Sequence, residues 1–303
     1  MNTLRVYAFG RLRVAYAGGE AHRFPTRQAE SLFGYLAMHA GADHSRDVRI
    51  EQVLGGYGDL KSARARLSTS LWRVRRTLVE AGAPADDFLI TERDTVGLTG
   101  GATLWVDVSA FLDALQAAAT ADEPEQAWGE AVAFYQGELC EGLYHDWCLA
   151  ERERLERLLL RTLGQMMSAR AARGTLDEAI ALGHRILERD PLREQVHRAL
   201  MGYYYRAGNR AAAVRQYQRC CELLRAELDI APMPETQALY LQITADKGVT
   251  PEASGPPLQE VLSHLRETVG GMERVAGQLS AAVALLEHLA LSDGQNLGDR
   301  PKV

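Results

Sequence analysis

Cysteine is scarce in this sequence, and none of it is arranged for metal or redox chemistry. Cys140, Cys148, Cys220 and Cys221 include no CxxC pair and have no histidine at ligand spacing, which argues against structural zinc. Adjacent Cys220 and Cys221 do not bridge each other comfortably, so reduced thiols of a cytosolic protein are the expectation. Apolar runs approaching the roughly 18–20 residues that span a bilayer are missing too. Met1 to Arg13 lacks the apolar core and small-residue cleavage site of a secretory leader, so the expected location is cytoplasmic, with no membrane partner. Catalytic patterns are equally absent: the histidines make no HExxH and the serines no GxSxG elbow. Gly55 to Ser62 imitates a phosphate-binding loop, but Leu60 stands where the glycine before Lys61 is required, and the loop follows a helical pattern rather than a strand. Neither an enzyme nor a cofactor is expected.

Charge is distributed unevenly along the chain. The chain carries a net charge of −6, yet residues 1–100 hold 14 Lys/Arg against 11 Asp/Glu, and the remainder 20 against 29. Between positions 60 and 78 stand Lys61, Arg64, Arg66, Arg73, Arg75 and Arg76 with no carboxylate among them. Such a local basic patch is what a nucleic-acid reader carries, although charge alone fits a solvated helix face equally well.

What is present around that patch has a readable order. Leu4 to Phe9, Leu12 to Tyr16 and His22 to Phe24 alternate apolar and polar residues between glycines, the pattern of an antiparallel meander. Ala29, Leu32, Phe33, Leu36 and Ala37 then recur at helical spacing. Ser45 can cap a second helix through Val48, Ile50, Val53 and Leu54, stopped by Gly55-Gly56. A third begins at Ser62 and carries Ala63, Leu67, Leu71, Val74 and Leu78 on one face. Two short strands, Phe88 to Thr91 and Val96 to Leu98, follow. Strands, three helices and a hairpin make the order of an OmpR-type winged helix–turn–helix. The third helix opposes its apolar back with Ser62, Arg66, Thr69, Arg73 and Arg76, a front suited to the major groove. Arg66, Thr69 and Arg73 are the candidates for base or near-base contacts. Lys61, Arg64, Arg75 and Arg76 are candidate phosphate clamps, and Arg93 at the hairpin tip could reach a minor groove or simply be a solvated turn residue. Trp72 fits the groove edge or a packing contact equally well.

From Asp107 the pattern is almost wholly helical, and it repeats. Gly174 and Gly208, Ala179 and Ala213, and Glu188 and Glu222 each lie 34 residues apart, the tetratricopeptide period. Tyr203, Tyr204, Tyr205 and Tyr217 read as packing aromatics, and His184 and His197 as ordinary helix positions. Beyond a linker, Leu262, Val269, Ala276 and Val283 recur every seven residues, as do Leu265, Met272, Leu279 and Leu286 three positions later. Taken as a and d positions, these favour a parallel dimer, with higher oligomers or docking back onto the repeats as the alternatives. The expected fold is thus mainly α with a small β component. Residues 1–100 form the winged helix, 101–245 the repeat domain, 246–257 a linker, 258–290 a coiled-coil oligomerisation helix and 291–303 a disordered tail.

The whole order resembles the SARP-type (AfsR-like) transcriptional activators, an OmpR-like winged helix followed by a bacterial transcriptional activation domain. The resemblance covers roughly residues 1–245. It rests on Arg27-Gln28-Ala29 to Tyr35-Leu36, on Ser45-Arg46, and on Ala63-Arg64-Ala65-Arg66-Leu67 continued by Leu71-Trp72-Arg73-Val74-Arg75-Arg76. Further on, Tyr135-Gln136-Gly137-Glu138-Leu139, Trp147 to Arg154, Asp190-Pro191-Leu192-Arg193-Glu194 and Gly208-Asn209-Arg210 continue it. It departs at Leu54-Gly55-Gly56, where relatives commonly have a Trp, and at Arg66 and Trp72, where smaller polar residues are frequent. The resemblance implies binding of double-stranded DNA at promoter direct repeats and recruitment of RNA polymerase. The competing reading is an interaction scaffold whose winged helix no longer reads DNA.

Overall fold

The computed structural model describes residues 2–42, 44–45, 60–92, 95–101 and 103–246. Strand β1 (Leu4–Tyr7) pairs antiparallel with β2 (Arg13–Tyr16) in the register Leu4 to Tyr16 and Val6 to Val14, and β2 pairs with β3 (His22–Arg23). The alternation read from the sequence sends Leu4, Val6 and Val14 fully into the core while Arg5 and Arg13 stay exposed.

Helix α1 (Arg27–Met38) starts where Thr26 accepts the Ala29 amide, satisfying one of the free donors of the first turn. Helix α2 (Leu60–Glu80) is the third helix expected from the sequence, two residues longer at each end than the span from Ser62 to Leu78. Its back, Ala63, Leu67, Leu71, Val74 and Leu78, is buried against α1 and the sheets. A short helix, α3 (Ala85–Phe88), leads into the hairpin of β5 (Leu89–Thr91) and β6 (Thr95–Leu98). A strand the sequence reading did not foresee, β4 (His44–Ser45), pairs with β6. Ser45, expected to open the second helix, lies in that strand, and the rest of that helix's span, 46–59, is outside the described residues.

A second unforeseen strand closes the N-terminal sheet. β7 (Leu104–Val106) lies parallel to β1, giving the order β3-β2-β1-β7. Three residues are too few to show a period, and a parallel partner a hundred positions away leaves no local signal. The boundary expected at 100 falls between β6 and β7. Immediately after β7, Asp107 opens helix α4 (Asp107–Thr120), and its buried carboxylate accepts the amides of Ala8 and Phe9 at 2.9–3.0 Å. Burial raises the Asp107 pKa despite these bonds, which act in the other direction.

The remainder is helical: α5 (Glu125–Phe134), α6 (Asp146–Ala172), α7 (Leu176–Arg189), α8 (Glu194–Arg206), α9 (Arg210–Leu228) and α10 (Pro234–Ala245). The 34-residue repeat has a direct structural meaning. Gly174 and Gly208 follow the ends of α6 and α8 at φ +86° and +76°, the left-handed turn that glycine adopts without strain. Asn209 then caps α9 by accepting the Ala212 amide. Ala179 and Ala213 are both fully buried. At Gly183 a Cβ would stand 2.6 Å from Leu200, so α7 and α8 approach more closely than any side chain there would allow.

His197 departs from expectation. It is no ordinary helix position: it is 1% exposed, its Nε2–H donates to the Pro191 carbonyl at 2.9 Å, and its Nδ1 accepts from Gln216 at 2.8 Å. It therefore joins α8 to the turn before it and to α9. No described helix is long and apolar enough to cross a membrane. Arg93 and the heptad positions Leu262, Leu265, Val269, Met272, Ala276, Leu279, Val283 and Leu286 lie outside the described residues.

Candidate nucleic-acid interface

At about 100° per residue, α2 divides into three zones. Opposite the buried back, Ser62, Ala65, Ser68, Thr69, Trp72, Arg76 and Val79 share one exposed arc. Its midline runs through Ala65 and Trp72, and Trp72 is 58% exposed. On one margin stand Arg66 and Arg73, both half-buried; on the other stand Arg64, exposed, and Arg75, half-buried. The face is thus small and aromatic at its centre, with guanidinium groups along both edges.

Two of the marginal arginines, Arg73 and Arg75, are tied to the scaffold. Arg73 Nη1 donates to the Thr26 hydroxyl at 3.3 Å, the same hydroxyl that caps α1. Arg75 pairs with Asp86 and reaches Thr91 on β5 at 3.3 Å. Arg66 presents a buried Nε without a hydrogen-bond partner among the described residues. Arg76 bonds Glu80 one turn on at 2.8 Å, with its guanidinium carbon 5.7 Å from the Trp72 ring centroid. Thr69 turns its hydroxyl to the Ala65 carbonyl at 3.0 Å. These ties orient the cations and limit the entropy each would lose on contacting a ligand.

Measured against the sequence reading, the arc is rotated by about 60° around the helix axis. Thr69 lies on the exposed arc, but Arg66 and Arg73 stand at its edge. Trp72, left ambiguous in the sequence, takes the centre, and Ser68 was overlooked. Its spacing to Ala65 and Trp72, three after one and four before the other, was the available signal. Ser62 and Arg64 lie in the first turns and are exposed; Lys61 lies beside them in the first turn. The structure brings all of these onto one helix, with the β5–β6 hairpin reached through Arg75 and Thr91.

Among the described residues, no group of three His, Cys, Asp or Glu side chains is placed to hold a metal ion. The four cysteines are free thiols.

Comparison with known proteins gives this architecture a context. Residues 106–244 match the family model of the bacterial transcriptional activator domain. The chain is 26% identical over 262 residues to the regulatory protein AfsR of Streptomyces griseus, a match covering 84% of this chain and 26% of that protein. It is 27% identical over 191 residues to the transcriptional regulatory protein MoaR1 of Mycobacterium tuberculosis, covering 60% of each. It therefore spans about a quarter of the length of the AfsR relative. Among solved structures, EmbR of Mycobacterium tuberculosis, determined in complex with a low-affinity phosphopeptide, shares the fold. The TM-score is 0.67 at 19% identity, over 82% of this chain and 67% of that one. Residues 106–244 thus carry the bacterial transcriptional activator domain, and the chain as a whole is similar to the SARP-type, AfsR-like transcriptional regulators.

Proposed function

We propose that this protein binds promoter DNA through α2 and activates transcription. The observation that carries the reading is the exposed arc of α2, acid-free from 60 to 78 and edged on both sides by arginines. A major groove admits one helix, and phosphates flank it on both sides. In this reading Ala65, Ser68, Thr69 and Trp72 face the base edges, while Arg64, Arg66, Arg73, Arg75 and Arg76 hold the two backbones. Lys61 and Ser62 add contacts at the helix start, and Arg93, which follows β5 in the sequence, is assigned to the adjacent minor groove. Recruitment of RNA polymerase and action in the cytoplasm follow from the resemblance to the family. A dimer on paired half-sites rests on the heptad order of 258–290.

The test is capture of genomic fragments by the full chain, repeated with Arg66→Ala/Arg73→Ala. The wild-type chain should recover fragments that share a repeated motif. If the two arginines clamp phosphates, the double variant keeps the motif, binds it more weakly, and loses about two units of the slope of log affinity against log salt. Recovery of unrelated fragments by the wild-type chain would overturn the reading and favour the scaffold alternative, which the solvent-exposed Trp72 and Val79 support.

A further inference from the structure

The repeat domain contains a groove that the DNA-binding reading does not use. Two open depressions, of about 640 and 470 Å³, run across α4, α5, α6 and α8 and meet at Trp128, Arg161 and Gln165. Tyr203 and Arg193 also line the larger one. None of the residues lining either depression is acidic. That is unexpected from composition, because residues 101–245 hold 21 Asp/Glu against 15 Lys/Arg.

The arginines nearby divide into used and unused. On α6, Arg154 pairs with Glu151, and Arg170 pairs with Glu125 and Glu178. Arg193 pairs with Asp190 at 2.7 Å. Arg161, exposed at the waist of the groove, makes no ion pair or hydrogen bond with another described residue. Beside it the half-buried indole of Trp128 offers an apolar wall. Gly164, one turn along α6, leaves the floor open, since a Cβ there would meet nothing within 4 Å.

We propose that this groove binds an extended acidic peptide segment of a partner protein. An aspartate or glutamate of the segment pairs with Arg161, and a neighbouring aromatic or aliphatic side chain seats against Trp128. Two features select a peptide over a compact small molecule. The two depressions adjoin at Trp128, Arg161 and Gln165, so they form one continuous surface cleft rather than a single compact pocket. Complementary charge selects the acidic class, because a guanidinium beside an apolar wall recognises a carboxylate flanked by apolar groups.

The experiment is selection of a displayed random-peptide library on the purified full chain, followed by anisotropy titration of the selected peptides in labelled synthetic form. Selected sequences should carry Asp or Glu next to an aromatic or aliphatic residue. Arg161→Glu should weaken binding about tenfold or more, and Arg161→Lys less. Gly164→Leu fills the floor without touching any charge and should weaken binding similarly; an unchanged thermal melt verifies that each variant is folded. Arg66→Ala/Arg73→Ala, altered only on α2, should bind the peptides as the wild-type chain does. The proposal is overturned if the selected peptides lack acidic residues or bind Arg161→Glu undiminished. Loss of the peptides in the α2 variant would equally overturn it, placing them on the DNA-reading face.

Discussion

His197 shows how one side chain holds the repeat pair together. Its two ring nitrogens are committed to a carbonyl and an amide N–H, so an added proton would point at the Gln216 donor. Burial lowers its pKa first, with Arg219 acting in the same direction and the bonds to Pro191 and Gln216 and the charge of Glu194 opposing. A folded-state pKa below the unfolded value of about 6.5 makes the unfolded chain the stronger proton binder as pH falls. The stability this residue contributes is therefore complete above about pH 6.5 and is lost as the pH falls through the lowered value. Urea midpoints at pH 7.5 and 5.5 should fall on acidification in the wild-type chain, and fall less in His197→Gln. Equal acid sensitivity in both would remove His197 as a source of the effect. Asp107 and Glu30, both raised by burial, act with opposite sign, and the difference between the two chains cancels them.

At the level of the element, α2 separates stability from the recognition proposed for it. Its buried side supplies the core, whereas Trp72 touches little besides the guanidinium of Arg76. Trp72→Ala should thus change unfolding stability by no more than about 0.5 kcal/mol, the usual range for an exposed position away from special contacts. The same substitution should lower affinity for the captured operator, measured by anisotropy at fixed salt, because it empties the midline of the face. Full affinity would move the base-reading role off the midline and back to the margins. Arg73 behaves differently: through Thr26 it is tied to the cap of α1, so its replacement reports on both fold and binding.

For residues 2–245 as a whole, the sheet and the helical repeats are not separable by the linear order of their elements. β7, the Asp107 carboxylate and the pairing of Phe9 with Leu139 all reach back to β1 and the residues just after it. Phe9 also packs on Phe111 and Tyr135, with ring centroids 5.6 and 4.5 Å away. Arg152 on α6 seals the joint from the other side, donating to the carbonyls of Leu139, Cys140 and Leu143. A fragment of residues 1–100 lacks β7 and exposes the edge of β1 together with Phe9. It should melt without a cooperative transition or self-associate, whereas residues 1–245 should melt cooperatively; calorimetry and light scattering distinguish the two. A fragment 1–100 as stable as the longer one would show that the shared core contributes nothing.

Within the described residues, the sequence by itself determined elements long enough to complete their own period. The meander shows in Leu4, Val6 and Val14, α1 and α2 in their apolar stripes, and the repeats in the 34-residue spacing of Gly174 and Gly208. These are legible because a buried face imposes a spacing on the residues that form it, whatever it packs against. Tertiary structure decided what has no local period. It brought β7 beside β1, buried His197 between two helices and set Asp107 under the amides of Ala8 and Phe9. On α2, the pattern located the buried side correctly, but the edges of the exposed face depend on what stands next to the helix. Thr26, 47 positions before Arg73, and Asp86, on the short helix that follows α2, draw Arg73 and Arg75 to its margins and leave Trp72 at the centre.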